Sequence, residues 1–317
     1  MAKPVLLTGI KPTGDLHIGN YFGALKPAID LFMTGKYNAY LFLADYHTLN
    51  FIQDAEEMRR LSRECILAYL AAGLDPARAV VFKQSEVTAH TELCWIFDTI
   101  TTMPYLERAH AYKDAEAKGR EVSVGTFNYP MLMAADILLY DANVVPVGAD
   151  QKQHVEYARD TAEKFNRVFK EEVFTLPEPI IQEEVAVVPG TDGRKMSKSY
   201  GNTIPLFASR DEIAKAVMSI TTDSKGDKPE HVFAIHRLVR PEGELMALYE
   251  EKRGKYKELK EALIEDLDAY FAPIRAKYDE LKGDDTLIAD VLAKGGERAR
   301  AVANAKMERV RAAIGVA

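Results

Sequence analysis

Two segments of this chain combine glycine, hydroxyl, imidazole and ammonium groups at spacings suited to phosphate chemistry. The first is Lys11-Pro12-Thr13-Gly14-Asp15-Leu16-His17-Ile18-Gly19-Asn20, directly after the apolar run Val5 to Ile10. A strand, a glycine-containing turn and a helix N-terminus turn backbone N–H groups and the positive end of the helix dipole towards an anion. His17 and Asn20 add donors, and Gly19 leaves room for a flat base. Taken alone, the segment also reads as a helix cap with a buried histidine. The second is Gly190-Thr191-Asp192-Gly193-Arg194-Lys195-Met196-Ser197-Lys198-Ser199-Tyr200-Gly201-Asn202. Its glycines and hydroxyls bracket two lysines, which predicts a mobile loop that carries ammonium groups onto phosphates. Nucleotidyl transfer needs that charge chiefly in the transition state. The plain alternative is a solvated basic turn.

The elements that must position these segments follow from apolar patterning. Val5–Ile10, Tyr40–Ala44 and Ala79–Phe82 read as buried strands, separated by helical patterns over Leu16 to Phe32 and Met58 to Leu74. Strands alternating with helices of about 15 to 20 residues predict a doubly wound parallel sheet, which places ligands beyond the carboxyl ends of its strands. From Thr88 the chain turns helical, with further strand candidates at Val144–Val147 and Val185–Val188. Beyond Ser209, which opens a Ser-x-x-Glu capping box with Glu212, only helices are expected, with long patterns over 242–278 and 285–314. The expected organisation is α/β: a Rossmann-like catalytic domain over 1–205, with a helical insertion at about 88–142 and the lysine loop at 190–202. A helical domain follows over 206–317.

Composition narrows the function classes. The 317 residues include 48 Asp+Glu and 41 Lys+Arg, a net charge of −7, with 47% hydrophobic residues. Such a chain can bury a core, so global disorder is excluded. No apolar run nears the ~20 residues that cross a bilayer, and the N-terminus lacks the apolar stretch of a signal peptide. A cytoplasmic protein is expected. Two cysteines, Cys65 and Cys94, supply neither a disulfide framework nor a thiolate metal site. An acidic chain is a poor non-specific coat for nucleic acid. Between residues 294 and 311, however, Lys294, Arg298, Arg300, Lys306, Arg309 and Arg311 face only Glu297 and Glu308, a local charge of +4. A solvated helix face is the plain account of that run.

Together, the two phosphate segments resemble the signatures of class I aminoacyl-tRNA synthetases. The sequence around them is similar to the bacterial tryptophanyl members over nearly the whole chain, most specifically in the stretches Tyr129 to Tyr140 and Val145 to His154. The resemblance implies ATP as substrate with Mg2+ carried on it, and no metal held by protein side chains. His17, Asn20, Lys195 and Lys198 are the implied catalytic groups. Lys11, Pro12, Thr13, Gly19, Gly148, Ala149, Asp150, Val187, Met196, Ser197 and Ser199 are implied to complete the ATP site. For the amino acid, it implies that Asp136 accepts an indole N–H and Met133 packs on the ring. Tyr129 and Gln151 would hold the ammonium, and His47, Leu7, Gly9, Val145 and Val147 would shape the pocket. Indole nitrogen is a donor only, so an ionised carboxylate in an apolar pocket suits it. The implied partners are L-tryptophan, tRNA(Trp) and a second copy of the chain, with neither membrane nor DNA. The six basic residues of the C-terminal run become candidate tRNA-backbone contacts. Two departures stand out: Lys11 occurs where many members have glutamine, and Ala115 where a triphosphate lysine is usual. A tyrosyl-tRNA synthetase, a small-molecule nucleotidyltransferase and a synthetase-like binding paralogue are the alternatives.

Overall fold

The computed structural model describes residues 3–117, 119, 121–147, 152–181, 188–222 and 228–317. Five parallel strands, β1 (Val5–Ile10), β2 (Asn38–Leu43), β3 (Ala79–Lys83), β4 (Val144–Val147) and β5 (Glu178–Ile181), lie in the order β3-β2-β1-β4-β5. The chain leaves β1 for β2 on one side and later returns to β4 on the other. The carboxyl end of β1 is therefore the switch point where such sheets bind ligands. Both faces are covered, and the period-2 alternation of each strand divides its side chains between two cores. Leu6, Leu41 and Val81 point into one core with the helices Lys26–Met33 and Ala55–Ala71. Leu7, Phe42, Val80 and Phe82 point into the other with Ala89–Ile100, Val124–Leu138 and Lys152–Phe169.

Several expectations are sharpened. The helix expected from Leu16 to Phe32 contains a π-helical stretch at Tyr21–Leu25 between α-helical pieces. The strand Glu178–Ile181 was not anticipated: it is short and carries Pro179 at the sheet edge, where a missing N–H costs little. Of the expected strand Val185–Val188, residues 185–187 lie outside the described residues and Val188 is in no strand. The long pattern over 242–278 is two helices, Glu242–Glu251 and Tyr256–Leu281, divided at Gly254, whose φ of +76° suits glycine. Ser209 does cap Arg210–Met218 in a capping box with Glu212.

The last helix, Asp285–Ile314, crosses the exposed edge of β3. Ile288, Val291 and Leu292 join the first core, whereas Ala299, Ala303, Met307 and Val310 join the second. Gly295 and Gly296 lie at the crossing, where a Cβ on Gly295 would stand 1.7 Å from the Val81 carbonyl oxygen. The glycines thus allow helix backbone to seat on strand backbone, which covers an edge otherwise open to pairing. Gly295→Ala should lower unfolding free energy by about 2 kcal/mol or more, since the clash is with backbone that cannot rotate away. Gly243→Ala, with nothing within 4 Å of its added Cβ, should change it by less than about 0.5 kcal/mol in the same urea titration.

Candidate functional site

The two phosphate segments meet at the carboxyl end of β1. The Ile18 N–H donates to the Ile204 carbonyl at 3.0 Å and the Leu206 N–H to the Leu16 carbonyl at 2.9 Å, so chain following the lysine loop is laced to the β1 turn. The Asn20 side chain accepts from the His17 N–H at 3.1 Å and ties down the first helical turn. Gly14 has φ of +130°, and a Cβ there would lie 2.4 Å from Lys198 Nζ. A Cβ on Gly19 would meet the His17 ring at 2.8 Å and Met196 at 3.3 Å. These glycines are needed for the close approach of an ammonium and a ring to backbone. Burial, and then the neighbouring Lys198 ammonium, lower the His17 pKa to about 4, so it faces the site as neutral imidazole. Burial also lowers Lys198.

The loop is braced from within by Asn202, which is buried. Asn202 Oδ1 accepts from the Ser197 N–H at 2.8 Å, while Nδ2 donates to Asp192 Oδ1 at 2.6 Å and to the Lys195 carbonyl at 3.2 Å. Met196 is buried as an anchor, whereas Lys195, Lys198 and Ser199 are exposed. The segment expected to be a mobile loop is folded here as an internally hydrogen-bonded hairpin, closed by a Pro189–Lys195 bridge, which presents the lysines. Lys11 and Thr13 are exposed on the β1 turn and Pro12 is buried beneath them. The Lys11 ammonium lies 5.4 Å from the centre of the Phe51 ring.

Beside this turn lies the expected amino-acid pocket. Gly9, next to last in β1, pairs with Phe42, and a Cβ on it would stand 2.5 Å from that ring. Leu7 and Val145 are buried in the second core; Val147 ends β4. Met133 and Tyr129, on the Val124–Leu138 helix, are half-buried, and the Tyr129 hydroxyl is hydrogen-bonded to His154 Nε2. Asp136, only 1% exposed, receives His47 Nε2 on Oδ2 at 2.8 Å. Its Oδ1 receives Gln84 Nε2 at 2.7 Å and His90 Nδ1 at 2.6 Å. Burial opposes ionisation, yet the hydrogen bonds from His47 and His90 prevail and lower its pKa to about 2. Gln84, His90 and Tyr140 were not anticipated. Gln84 could have been found from its place at the carboxyl end of β3, the counterpart of His47 after β2. Of the expected site residues, Gly148, Ala149, Asp150, Gln151 and Val187 lie outside the described residues. Among the described residues, no cluster of three His, Cys, Asp or Glu is arranged to hold a metal.

Comparison with known proteins identifies this geometry. The family described as tRNA synthetases class I (W and Y) matches residues 2–279. The chain belongs to that family. It is 43% identical to a tryptophan–tRNA ligase of Fusobacterium nucleatum over 98% of this chain and 97% of the relative. A Campylobacter jejuni tryptophanyl-tRNA synthetase solved with ADP and tryptophan superposes with a TM-score of 0.90 at 44% identity, covering 98% of this chain and 99% of that one. A tyrosyl-tRNA synthetase of Archaeoglobus fulgidus, 22% identical with a TM-score of 0.64 over 87% of this chain and 90% of that one, shares the fold.

In this synthetase part of the basic C-terminal run is engaged by the chain itself. Lys306 is buried, donating to Asp141 at 2.6 Å and to the Val173 carbonyl at 2.9 Å. It is thereby withdrawn from the expected RNA contacts. Arg300 reaches the Glu86 carbonyl at 3.2 Å, Arg309 the Glu172 carbonyl at 2.9 Å, and Arg311 forks onto Glu92 at 2.5 and 2.7 Å. Lys294 and Arg298 stand exposed on the helix. Lys306→Ala should destabilise the fold by about 2 to 3 kcal/mol in urea unfolding, below the ~3–5 of a fully enclosed pair because the Asp141 side chain is 40% exposed. A second expectation concerns His17. Its folded pKa near 4 lies below the usual 6.5, so the unfolded state binds more protons between those values and stability rises with pH across that window. Ring NMR titration should find His17 neutral at pH 6 and protonating near pH 4.

Proposed function

We propose that this synthetase is a tryptophan–tRNA ligase. It activates L-tryptophan with ATP to tryptophanyl-adenylate, releasing pyrophosphate, and passes the acyl group to the 3′-terminal adenosine of tRNA(Trp). The observation that carries the reading is Asp136: a buried carboxylate kept ionised next to a phosphate-binding turn. Such an acceptor calls for a substrate bearing one donor at the end of an apolar body, as indole does. Met133 and Tyr129 flank it from the same helix, with Leu7, Gly9 and Val145 shaping the walls and Gln151 and Tyr129 assigned to the ammonium.

No side-chain nucleophile takes part. The tryptophan carboxylate attacks the α-phosphate of ATP, which arrives with Mg2+, and catalysis comes from positioning and electrostatics. Neutral His17 donates a hydrogen bond without adding repulsion towards the lysines, and Asn20 fixes the turn that presents it. Lys195 and Lys198 stabilise charge on the departing pyrophosphate, with Lys198 already drawn against Gly14. Gly148, Ala149, Asp150 and Val187 are assigned to the ribose and adenine. Trp95, Met103 and Val124, exposed at 70%, 61% and 82%, supply apolar surface for a homodimer. Lys294 and Arg298, with the outer portions of Arg300, Arg309 and Arg311, are the remaining candidates for tRNA contact. The working compartment is the cytoplasm.

ATP–pyrophosphate exchange with tryptophan and tyrosine side by side tests the reading. Tryptophan should support exchange by at least about a hundredfold over tyrosine in kcat/KM; preference for tyrosine would overturn it. Lys195→Ala should lower kcat for adenylate formation by about a hundredfold or more while KM for tryptophan stays within about threefold, the pattern of a group that acts in the transition state.

A further inference from the structure

The surroundings of Asp136 go beyond the pairing of one carboxylate with one substrate. A carboxylate offers about four lone-pair positions, two on each oxygen. Oδ1 is saturated by Gln84 Nε2 and His90 Nδ1, and Oδ2 holds only His47 Nε2. Among the described residues, one position on one oxygen is left. Two observations show that this count is built in. Gln84 is wholly buried and directs its amide Nε2 to Asp136, while its own Oε1 has no partner among the described residues, an expense met only where the bond it makes matters. His90, also fully buried, is bonded at both nitrogens: Nδ1 to Asp136 at 2.6 Å and Nε2 to the Tyr140 hydroxyl at 2.9 Å. The rings of Phe42, Phe82 and Tyr140 enclose it at centroid distances of 6.1, 6.2 and 5.6 Å and exclude water.

We infer that Gln84, His90 and Tyr140 are specificity-determining positioning residues that fill Asp136 Oδ1, so that the carboxylate offers a single acceptor position on Oδ2 to an incoming ring N–H. The chemistry orders the relay. A carboxylate only accepts, so His90 Nδ1 must carry a hydrogen. In a neutral ring Nε2 is then the acceptor, and Tyr140 donates to it. Asp136 thus fixes the tautomer, and the Tyr140 hydroxyl holds the ring in place by satisfying Nε2. Without it, Nε2 is buried with no donor and the ring is free to turn away from Oδ1. Asp136 would then have two unfilled positions, one of them open to water or to a shifted His47, and the penalty for a substrate lacking a donor would shrink. The inference rests on the tryptophan reading above and names what enforces its selectivity.

The test compares exchange kinetics for tryptophan with those for β-(3-benzothienyl)alanine, in which sulfur replaces the ring N–H at nearly constant shape. The ratio of the two kcat/KM values reads the donor alone. Tyr140→Phe, Gln84→Leu and His90→Leu should each reduce that ratio by roughly tenfold or more, chiefly through a lowered KM for the sulfur analogue, with KM for ATP within about threefold. His90→Asn, whose amide nitrogen can stand where Nδ1 stands, should restore the ratio to within about threefold of wild type. An unchanged ratio in Tyr140→Phe and Gln84→Leu, or equal losses for both substrates, would overturn the inference. Should His90→Leu fail to fold, Tyr140→Phe, which removes one oxygen, decides by itself. Asp136→Asn separates the two levels: if it leaves the ratio intact, the indole reading fails; if it collapses the ratio while the relay variants do not, only the relay fails.

Discussion

Keeping a charge inside an apolar wall is the constraint around which the amino-acid half of this enzyme is arranged. An isolated buried carboxylate would take up a proton sooner than bear its desolvation. Asp136 stays ionised because donors reach it from three strand ends or neighbouring helices: His47 after β2, Gln84 after β3, and His90 at the start of the following helix. Those donors converge only if β2 and β3 end level with each other. Asp45 secures this by accepting from both the Ser85 N–H and the Ser85 hydroxyl, which locks the turn after β2 to the turn after β3. Strand register, turn chemistry and substrate selectivity are here one problem.

The phosphate half follows a different rule. Its groups sit on backbone turns, and the glycines set how close they come. Gly14 and Gly19 let Lys198 and His17 approach main chain at distances that a β-carbon would forbid. The partial positive field of the first helical turn, the adjacent ammonium groups and a histidine kept neutral by burial and by Lys198 all favour an anion. An imidazolium in that place would repel the neighbouring Lys198 ammonium. The lowered pKa of His17 is therefore part of how the turn and the loop tolerate each other.

Much of this was legible in the sequence, and the reasons for the rest are specific. The first four strands are buried on both faces and read as short apolar runs, and the glycine, lysine and hydroxyl segments announce phosphate binding by composition. The strand Glu178–Ile181 hides because proline at an edge looks like a strand breaker, and the break at Gly254 hides because the apolar spacing continues across it. Asp136 was reached through family resemblance. Its cage was not, because Gln84 and His90 lie among other polar residues six positions apart and Tyr140 lies some fifty positions further on. Pairing between such residues leaves no periodicity to read.

The basic run on the last helix also has a structural role, and the reason is geometric. Six cations on the last helix suggested a patch for RNA, but the helix has to cross from one core to the other over the edge of β3. At that crossing, strand ends and loops present carbonyls and carboxylates that need donors. Lys306 and Arg309 cap the Val173 and Glu172 carbonyls, Arg300 caps Glu86, and Arg311 pairs with Glu92. Long basic side chains suit this work because their stems cover apolar surface while their heads reach polar atoms at the rim. The local +4 thus serves in part to fasten the helix to the catalytic body, while Lys294, Arg298, Arg300 and Arg309 remain exposed. The seating of Gly295 on the β3 backbone fixes the helix against the catalytic body at that crossing.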